Sequence, residues 1–166
     1  MKVHSRQLNV ADFEQMKNIL FRDGLNEWNY ITDESIEQQF QLIRDKRALA
    51  VLAEESEITG FAILIFKEAC PSQLSQYSNL STMAYINDVV VNMNYSGKGI
   101  GSRLLHKAIE LAKKAQCEKV YIARHEENLA SAGMMRKASF KIVDSYYDPN
   151  KRTTGSRNTS VLVKST

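Results

Sequence analysis

Apolar residues recur along this chain with a helical period in some segments and with a strand-like pattern in others. Residues 3–8 predict a short strand, and the helical spacing that follows it ends at Gly24. The apolar face of this first helix consists of Val10, Phe13, Met16 and Leu20. Thr32 suits the N-terminus of a second helix that ends near Asp45, and RALAVLAEE and ITGFAILIFKEA predict the two strands of an antiparallel hairpin.

The second half of the chain alternates strand-like and helix-like segments after the polar stretch PSQLSQYSNLSTM. MAYINDVVV, GIGSRLLHKAIELAKKA, EKVYIA and NLASAGMMRKA predict a strand, a helix, a strand and a short helix in turn. Two closing strands near residues 140–147 and 159–163 flank the loop DPNKRTTGSRN. The order βααβββαβαββ predicts one α/β domain over residues 1–166, with a right-handed strand–helix–strand unit at its centre.

Composition narrows the class of protein. Hydrophobic residues make up 43% of the 166 residues and charged residues 25%, which is typical of a globular domain. No apolar run approaches the roughly 20 residues of a membrane span, and MKVHSRQLNV has no apolar signal core, so we expect a cytoplasmic protein without membrane contact. The net charge of +3 comes from scattered basic residues, so nucleic acid is not an expected partner. The two cysteines and three histidines show no ligand spacing, so no metal is expected.

Three glycines alternate where an apolar strand passes into an amphipathic helix. Gly97, Gly99 and Gly101 lie within VVVNMNYSGKGIGSRLL. Unpaired N–H groups at a helix N-terminus favour an anion, and glycine allows a phosphate to come close to the backbone. A turn that needs positive φ would also use glycine, so a purely structural turn remains the alternative. The Walker pattern is absent, and the Rossmann pattern fails because Ser102 occupies the position of its last glycine.

This stretch resembles motif A of the GNAT superfamily of N-acetyltransferases, which reads Gln or Arg, two residues, Gly, one residue, then Gly or Ala. The pattern falls on Ser96–Gly101, with Ser96 where the family usually has Gln or Arg. YINDVVV and CEKVYIA resemble the family's fourth and fifth strands, and ENLASAGMMRKASF resembles its fourth helix. The resemblance implies an α/β (α+β) fold, with a mixed, mostly antiparallel central sheet of six to seven strands and about four flanking helices.

The resemblance also implies a function and a set of contacts. It implies an acetyl-CoA-dependent N-acetyltransferase that transfers an acetyl group to a primary amine by direct attack on the thioester. In the family the fourth strand pairs with the pantetheine arm, the glycine loop holds the pyrophosphate, and the fourth and fifth strands splay apart. The cofactor-binding residues implied here are Val89, Val90, Val91, Ser96, Gly97, Lys98, Gly99, Ile100, Gly101, Ser102, Asn128 and Met135.

The same resemblance suggests candidates for proton transfer. Asp88 is the titratable residue in the segment where family members often place the base, and a structural role at a β-bulge is the alternative. Met135 stands where many members have the tyrosine that protonates the thiolate, and methionine cannot donate that proton. Weaker candidates for the acid or a proton shuttle are Tyr146, Tyr147 and His125; packing tyrosines and a solvated loop histidine are the alternatives. The loss of the acid leaves a CoA-binding sensor or interaction module open as a second function.

The acceptor region is predicted from two loops and the fourth strand. Trp28 and Tyr30 could wall a pocket with Asn87, although Trp28 could equally anchor its loop. In the closing loop, Lys151, Arg152 and Arg157 suggest a mobile basic lip, with a solvated turn as the alternative. None of these residues identifies the acceptor. Family members are often dimers, so a homodimer is also possible.

Overall fold

The computed structural model describes residues 1–29 and 31–166. Within these ranges the chain forms seven strands and four α-helices, in the predicted order βααβββαβαββ. The strands are β1 (Lys2–His4), β2 (Ala48–Glu54), β3 (Ile58–Phe66), β4 (Met83–Val91), β5 (Lys119–His125), β6 (Lys141–Tyr147) and β7 (Asn158–Ser165). The helices are α1 (Val10–Ile19), which a π-helical turn extends through Leu20–Gly24, then α2 (Asp33–Arg44), α3 (Ile100–Lys114) and α4 (Leu129–Lys137).

All seven strands belong to one sheet, in the order β1-β2-β3-β4-β5-β7-β6. β4 and β5 pair in parallel, and every other neighbouring pair is antiparallel. The helix α3 connects the two parallel strands, as such a crossover requires. The mixed, mostly antiparallel sheet that the family resemblance implies is confirmed.

The helices cover both faces of the sheet. Met16 of α1 and Phe40 of α2 pack on one face against side chains that include Tyr85. Leu104 of α3 packs on the other face against a core that includes Ile86. Because successive strand residues point to opposite faces, neighbouring residues of β4 reach the two cores. None of the helices in the described ranges is both long enough and apolar enough to span a bilayer.

The helix N-termini differ in how their backbone N–H groups are capped. Asn9 caps α1 and Thr32 caps α2, each with a side chain that accepts from the backbone three residues on. α3 instead begins after Gly99, which has φ 75° and offers no side-chain cap. The N-terminus of α3 therefore keeps donors that the first two helices satisfy internally.

The polar segment between β3 and β4 is folded against the sheet. It forms three short 3₁₀ turns at Lys67–Ala69, Ser72–Gln76 and Leu80–Thr82. The Tyr77 hydroxyl donates to Asp144 of β6, and the Tyr77 ring stacks on Tyr121 of β5 with centroids 6.0 Å apart. The segment between β3 and β4, which the sequence pattern marked only as a polar interruption, therefore packs against the sheet beside the candidate site.

Candidate active site

The two parallel strands separate at the centre of the sheet. Their pairing ends at Ile86 and Ile122. Beyond that point β4 continues to Val91 beside β3, and β5 continues to His125 beside β7. The divergence opens a cleft lined by residues 85–90 of β4, residues 122–124 of β5 and side chains of α4. The splay implied by the family resemblance is therefore present.

A β-bulge shapes the β4 wall of this cleft. Phe61 pairs with Val90 and Ile63 pairs with Asn87, so Asp88 and Val89 together lie opposite a single residue of β3. Asp88 has φ 54°, in the left-handed region that few residues other than glycine, asparagine and aspartate adopt. Such bulges and strained residues concentrate at functional sites. Asp88 therefore occupies the bulge that the structural alternative proposed, and it also faces the cleft.

The carboxyl group of Asp88 has an unusual electrostatic environment. It lines both the cleft and an adjoining cavity, and its Oδ2 lies 3.4 Å from Nδ2 of Asn87. Burial raises the pKa of Asp88 to about 6, although the positive charge of Lys151 acts in the opposite direction. Asp88 is thus a stronger base than an ordinary aspartate and is largely ionised at pH 7.

The glycine loop presents a row of backbone donors. Among the described residues, none of the N–H groups from Gly97 to Ser102 donates to a protein oxygen. The first α3 hydrogen bond runs from the Arg103 N–H to the Gly99 carbonyl, at 3.1 Å. A row of unpaired N–H groups at the positive end of a helix dipole is an anion-binding arrangement.

The three glycines serve two different purposes. Gly97 and Gly99 have φ 77° and 75°, and a Cβ at either position would meet nothing within 4 Å, so the backbone conformation requires glycine and leaves open space outside it. At Gly101 a Cβ would lie 2.7 Å from Sδ of Met134, so this glycine permits the close packing of α3 against α4. The turn and the anion site are therefore compatible.

A depression of about 330 Å³ lies between the loop and α4. Its lining includes Val91, Ser96 and Ser131. The Ser96 hydroxyl donates to the Met93 carbonyl, so it supports the turn that precedes the glycines. The Lys98 Nζ lies 5.3 Å from the centroid of the Tyr95 ring and contributes a positive charge beside the donor row. Ile100 points into the core, so only its backbone is available to a ligand.

α4 contributes two of the predicted cofactor residues to the cleft. The Asn128 side chain caps the helix by accepting from the Ser131 N–H at 3.2 Å, and it also lines the cleft. Met135 is 3% exposed and forms part of the apolar wall. The position of the usual tyrosine thus holds a buried side chain without a proton to donate.

The alternatives for the missing acid differ in their placement. His125 is the last residue of β5 and fully buried, so the expectation of a solvated loop histidine is wrong. Its Nδ1 accepts from the Glu127 N–H at 3.0 Å, and its Nε2 therefore donates to the Thr154 carbonyl at 2.8 Å. Because backbone groups engage both ring nitrogens, the geometry argues against a proton shuttle.

Tyr146 and Tyr147 point in opposite directions from the edge strand β6. Tyr147 is 63% exposed and lines none of the cavities around the cleft. Tyr146 lines a small cavity with Tyr85 and Lys151, and burial raises the pKa of its phenol. Of the two tyrosines, only Tyr146 faces the acceptor side of the cleft.

The predicted acceptor residues are only partly brought together. Asn87 lines a cavity of about 240 Å³ that adjoins the cleft on the α2 side of the sheet. Trp28 lies outside this lining: its ring packs on the His125 ring, with centroids 4.8 Å apart, and its carbonyl accepts from Arg152. Trp28 therefore anchors its loop, as the alternative proposed. Tyr30 lies outside the described residues.

The expectation of a mobile basic lip is wrong for Arg152. Arg152 is 5% exposed, and its guanidinium donates to Oγ1 of Thr159 at 2.8 Å and to the Trp28 carbonyl at 3.3 Å. Burial lowers the pKa of this guanidinium. Arg157 is exposed, with φ 58°. Of these three cations, Lys151 alone is both exposed and placed at the cleft, where it lines all three neighbouring cavities.

Arg124 is a cleft residue that no sequence pattern singled out. It is 9% exposed, and its Nη1 donates to the His125 and Glu126 carbonyls at 3.1 and 2.7 Å. Its Nε is buried and has no partner among the described residues. The only sequence signal is a basic residue at the end of an apolar strand. In the same ranges no group of three or more His, Cys, Asp or Glu side chains has a metal-binding arrangement.

Comparison with known proteins places this chain in a family. A model of the Acetyltransferase (GNAT) family matches residues 13–140. Streptothricin acetyltransferase A of Bacillus subtilis (strain 168) is 27% identical over 122 residues, which cover 74% of this chain and 69% of that protein.

Solved structures share the fold at low identity. A phosphinothricin acetyltransferase from Sinorhizobium meliloti, in complex with acetyl-CoA, superposes with a TM-score of 0.76 at 14% identity, over 99% of this chain and 89% of that chain. An aminoglycoside acetyltransferase, AAC(6')-Ib, in complex with coenzyme A and kanamycin, gives 0.75 at 18% identity, over 99% and 95%. Because the family match spans well over half of its length, the chain belongs to the acetyltransferase (GNAT) family and is an acyltransferase.

Proposed function

We propose that this protein transfers the acetyl group of acetyl-CoA to a primary amine, with Asp88 as the general base. One observation carries the proposal. The cleft between β4 and β5 has a row of unpaired backbone donors near one end and a carboxylate with a raised pKa at the other. The first feature suits a pyrophosphate, and the second suits the removal of a proton from an amine.

The residues present fit acetyl-CoA. The N–H groups from Gly97 to Ser102, together with Lys98, supply donors and positive charge for a pyrophosphate. Among the described residues, the edge of β4 that faces β5 has no strand partner beyond Ile86, so the backbone of Val89–Val91 is available to an extended amide-containing arm. Coenzyme A or acetyl-CoA is present in the structures of several relatives that share the fold.

The base addresses the largest chemical obstacle. An amine with a pKa of about 10.4 must lose a proton before it attacks, which costs about 4.6 kcal/mol at pH 7. When bound, acetyl-CoA supplies an electrophilic thioester carbonyl carbon. The Asp88 carboxylate would accept the proton of the ammonium group, directly or through a water molecule, before attack. The neutral amine nitrogen would then bond to that carbon as the bond from the carbon to the thiol sulfur breaks, and the proton left on the nitrogen would pass to the departing thiolate or to water. With a pKa of about 6, Asp88 is more basic than an ordinary aspartate and is still mostly ionised at neutral pH.

The absence of a proton donor at Met135 is compatible with this chemistry. A thiol with a pKa of about 8.5 gains only about 2 kcal/mol from protonation at pH 7, so the thiolate can leave without an acid. Arg124 lines the same cleft, and its positive charge would favour a thiolate that departs there. We therefore favour a working enzyme over a CoA-binding module that has lost catalysis.

The acceptor is proposed as a primary amine of a small molecule or a peptide. Relatives named for streptothricin and phosphinothricin, and one crystallised with kanamycin, indicate how varied the acceptors of this fold are. The acceptor side of the cleft is the cavity of about 240 Å³ that contains Asn87 and Asp88.

Release of free CoA thiol with a panel of amines tests the proposal. The panel contains streptothricin, an aminoglycoside, free amino acids, a polyamine and a short peptide. We expect amine-dependent thiol release, and a fall of about 10²- to 10⁴-fold in kcat/KM for Asp88→Asn. Asp45→Asn, which changes an exposed carboxylate just past α2, is the matched control and should retain activity. Acetyl-CoA binding without amine-dependent release would favour the CoA-binding module, and the absence of both would refute the proposal.

A further inference from the structure

The acceptor cavity contains one acidic and one basic side chain among otherwise uncharged residues. Asp88 and Lys151 are the charged members of its described lining. The remaining described members are Ile31, Ser35, Gln39, Ile65, Pro71, Tyr85 and Asn87. The cavity therefore offers opposite charges at two positions and neutral polar or apolar surface elsewhere.

Asp88 and Lys151 interact across the cavity without pairing. The Lys151 charge acts on the Asp88 carboxyl group, yet the two side chains form neither an ion pair nor a hydrogen bond. Two opposite charges that share a cavity but remain apart leave room for a ligand that carries the complementary pair. An ammonium group would lie at Asp88, and an anionic group would lie at Lys151.

The backbone of Lys151 is held in place by its neighbours. The Lys151 and Arg152 N–H groups both donate to the Asp148 carbonyl, at 3.2 and 2.8 Å. The adjacent Arg152 is buried and bonded to Thr159 and Trp28. Lys151 therefore projects from an anchored turn, so the fold holds its backbone beside the cavity.

The size of the cavity limits what can lie between the two charges. Its volume is about 240 Å³. At about 30 Å³ for each water-sized group, this space holds roughly eight such groups. That matches a small molecule or one end of a larger one.

On the basis of the proposed acetyl transfer, we infer that the acceptor is a zwitterionic amine of the amino-acid class, whose carboxylate binds Lys151 while its amine lies at Asp88. Lys151 is thereby a specificity-determining residue. It selects the acceptor through a charge-assisted hydrogen bond and takes no part in proton transfer.

Matched pairs of acceptors test this inference. Each pair is an L-α-amino acid and its α-carboxamide, and kcat/KM is measured for both with the wild-type protein and with Lys151→Gln, Lys151→Arg and Lys151→Glu. The carboxamide amine also has a different pKa, so the informative quantity is the acid-to-amide ratio compared between proteins. We expect Lys151→Gln to lower this ratio about ten- to a hundredfold, mainly through KM for the acid. Lys151→Arg should retain most of the preference, and Lys151→Glu should favour the amide.

Arg157→Gln is the matched control, because Arg157 is an exposed cation in the same loop that lines none of the cavities. It should leave the ratio unchanged. If the amines are acetylated but the acid-to-amide ratio of kcat/KM is the same in wild type and Lys151→Gln, the inference is overturned and the proposed function remains intact. Bound acetyl-CoA without turnover of any amine would overturn both.

Discussion

Asp88 combines three properties that are each costly to a folded protein. It has positive φ, it interrupts the ladder between β3 and β4, and its carboxyl group is held in surroundings that raise its pKa to about 6. Residues that violate local rules in this way are expected at functional sites, where the cost is retained because the geometry is used. The bulge gives the reason for the geometry, since it turns the carboxylate toward the point where β4 and β5 separate.

The titration of Asp88 predicts a pH profile. Its ionised form is the base, so kcat/KM should rise with pH through about 6 and level off above it, until another group of the enzyme or the acceptor titrates. Asp88→Asn should remove this rise and leave low activity throughout. The measurement is kcat/KM for one amine from about pH 5 to about pH 8, a range that includes the pKa of Asp88.

The stability of Asp88→Asn separates loss of chemistry from loss of fold. Because the folded pKa is higher than that of a free aspartate, the free energy of unfolding falls as pH rises through the interval up to about 6. Ionised Asp88 therefore destabilises the protein at pH 8, and asparagine also tolerates positive φ. The variant should be at least as stable as wild type at pH 8. An inactive variant that melts early would leave the base role unsupported, and an active variant with an unchanged profile would contradict it.

At the scale of elements, hydrophobic periodicity predicted the fold well. β4 was expected at MAYINDVVV and occupies Met83–Val91, and α3 and α4 begin and end within one residue of the expected segments. The apolar pattern is informative because each of these elements buries one face in the core, so its apolar residues recur with the period of a helix or a strand. The short first strand was expected at residues 3–8 and is shorter, Lys2–His4, since only these residues pair with β2.

The candidate site was predicted where its signal is local and missed where the signal comes from tertiary contacts. The alternating glycines reveal a strand-to-helix turn within six residues of sequence. The role of Gly101 depends on Met134, and the buried state of Arg152 depends on Trp28, which is 124 residues away. His125 likewise has its partner at Thr154. No periodicity records such pairings, so these residues could not be placed from the sequence.

Arg152 joins two loops to the end of the sheet, and its removal should destabilise them together. Arg152→Ala removes a buried guanidinium and leaves the Trp28 carbonyl and the buried Thr159 hydroxyl without this donor. We expect the free energy of unfolding to fall by about 2–4 kcal/mol. Urea unfolding measures this change, and the acceptor KM should rise because Lys151 loses its support. Lysine lacks the planar set of donors, so Arg152→Lys should not restore stability.

Arg157→Gln again provides the comparison for this loop. Arg157 is exposed, and its side chain forms no hydrogen bond with the described residues, so its replacement should change stability by less than about 0.5 kcal/mol. Equal effects of Arg152→Ala and Arg157→Gln would contradict the anchoring role.

At the scale of the whole molecule, the split between β4 and β5 connects the two faces of the sheet. The donor row and the depression beside it lie with α3 and α4, whereas the acceptor cavity lies with α2 and the segment after β3. Asp88 lines the cleft and the acceptor cavity, at the opening between the faces. We therefore expect the cofactor and the acceptor to enter from opposite sides and to meet at the bulge, so that binding one does not obstruct the other.

Acetyl-CoA would contact α3, α4 and both central strands, so its binding should stabilise the whole fold. At 100 times its Kd, a ligand that binds only the folded state adds about 2.7 kcal/mol to the free energy of unfolding. For a domain of this size that corresponds to a rise in Tm of about 5–10 °C.

Gly101→Asp should abolish the rise, because it places a side chain and a negative charge beside the donor row, at the start of α3. Gly101→Ala makes the same contact with Met134 without the charge, so it should retain most of the rise and isolate the electrostatic effect. A rise with NAD or ATP and none with acetyl-CoA, measured by thermal melting of the same preparation, would show that the donor row binds a different phosphate.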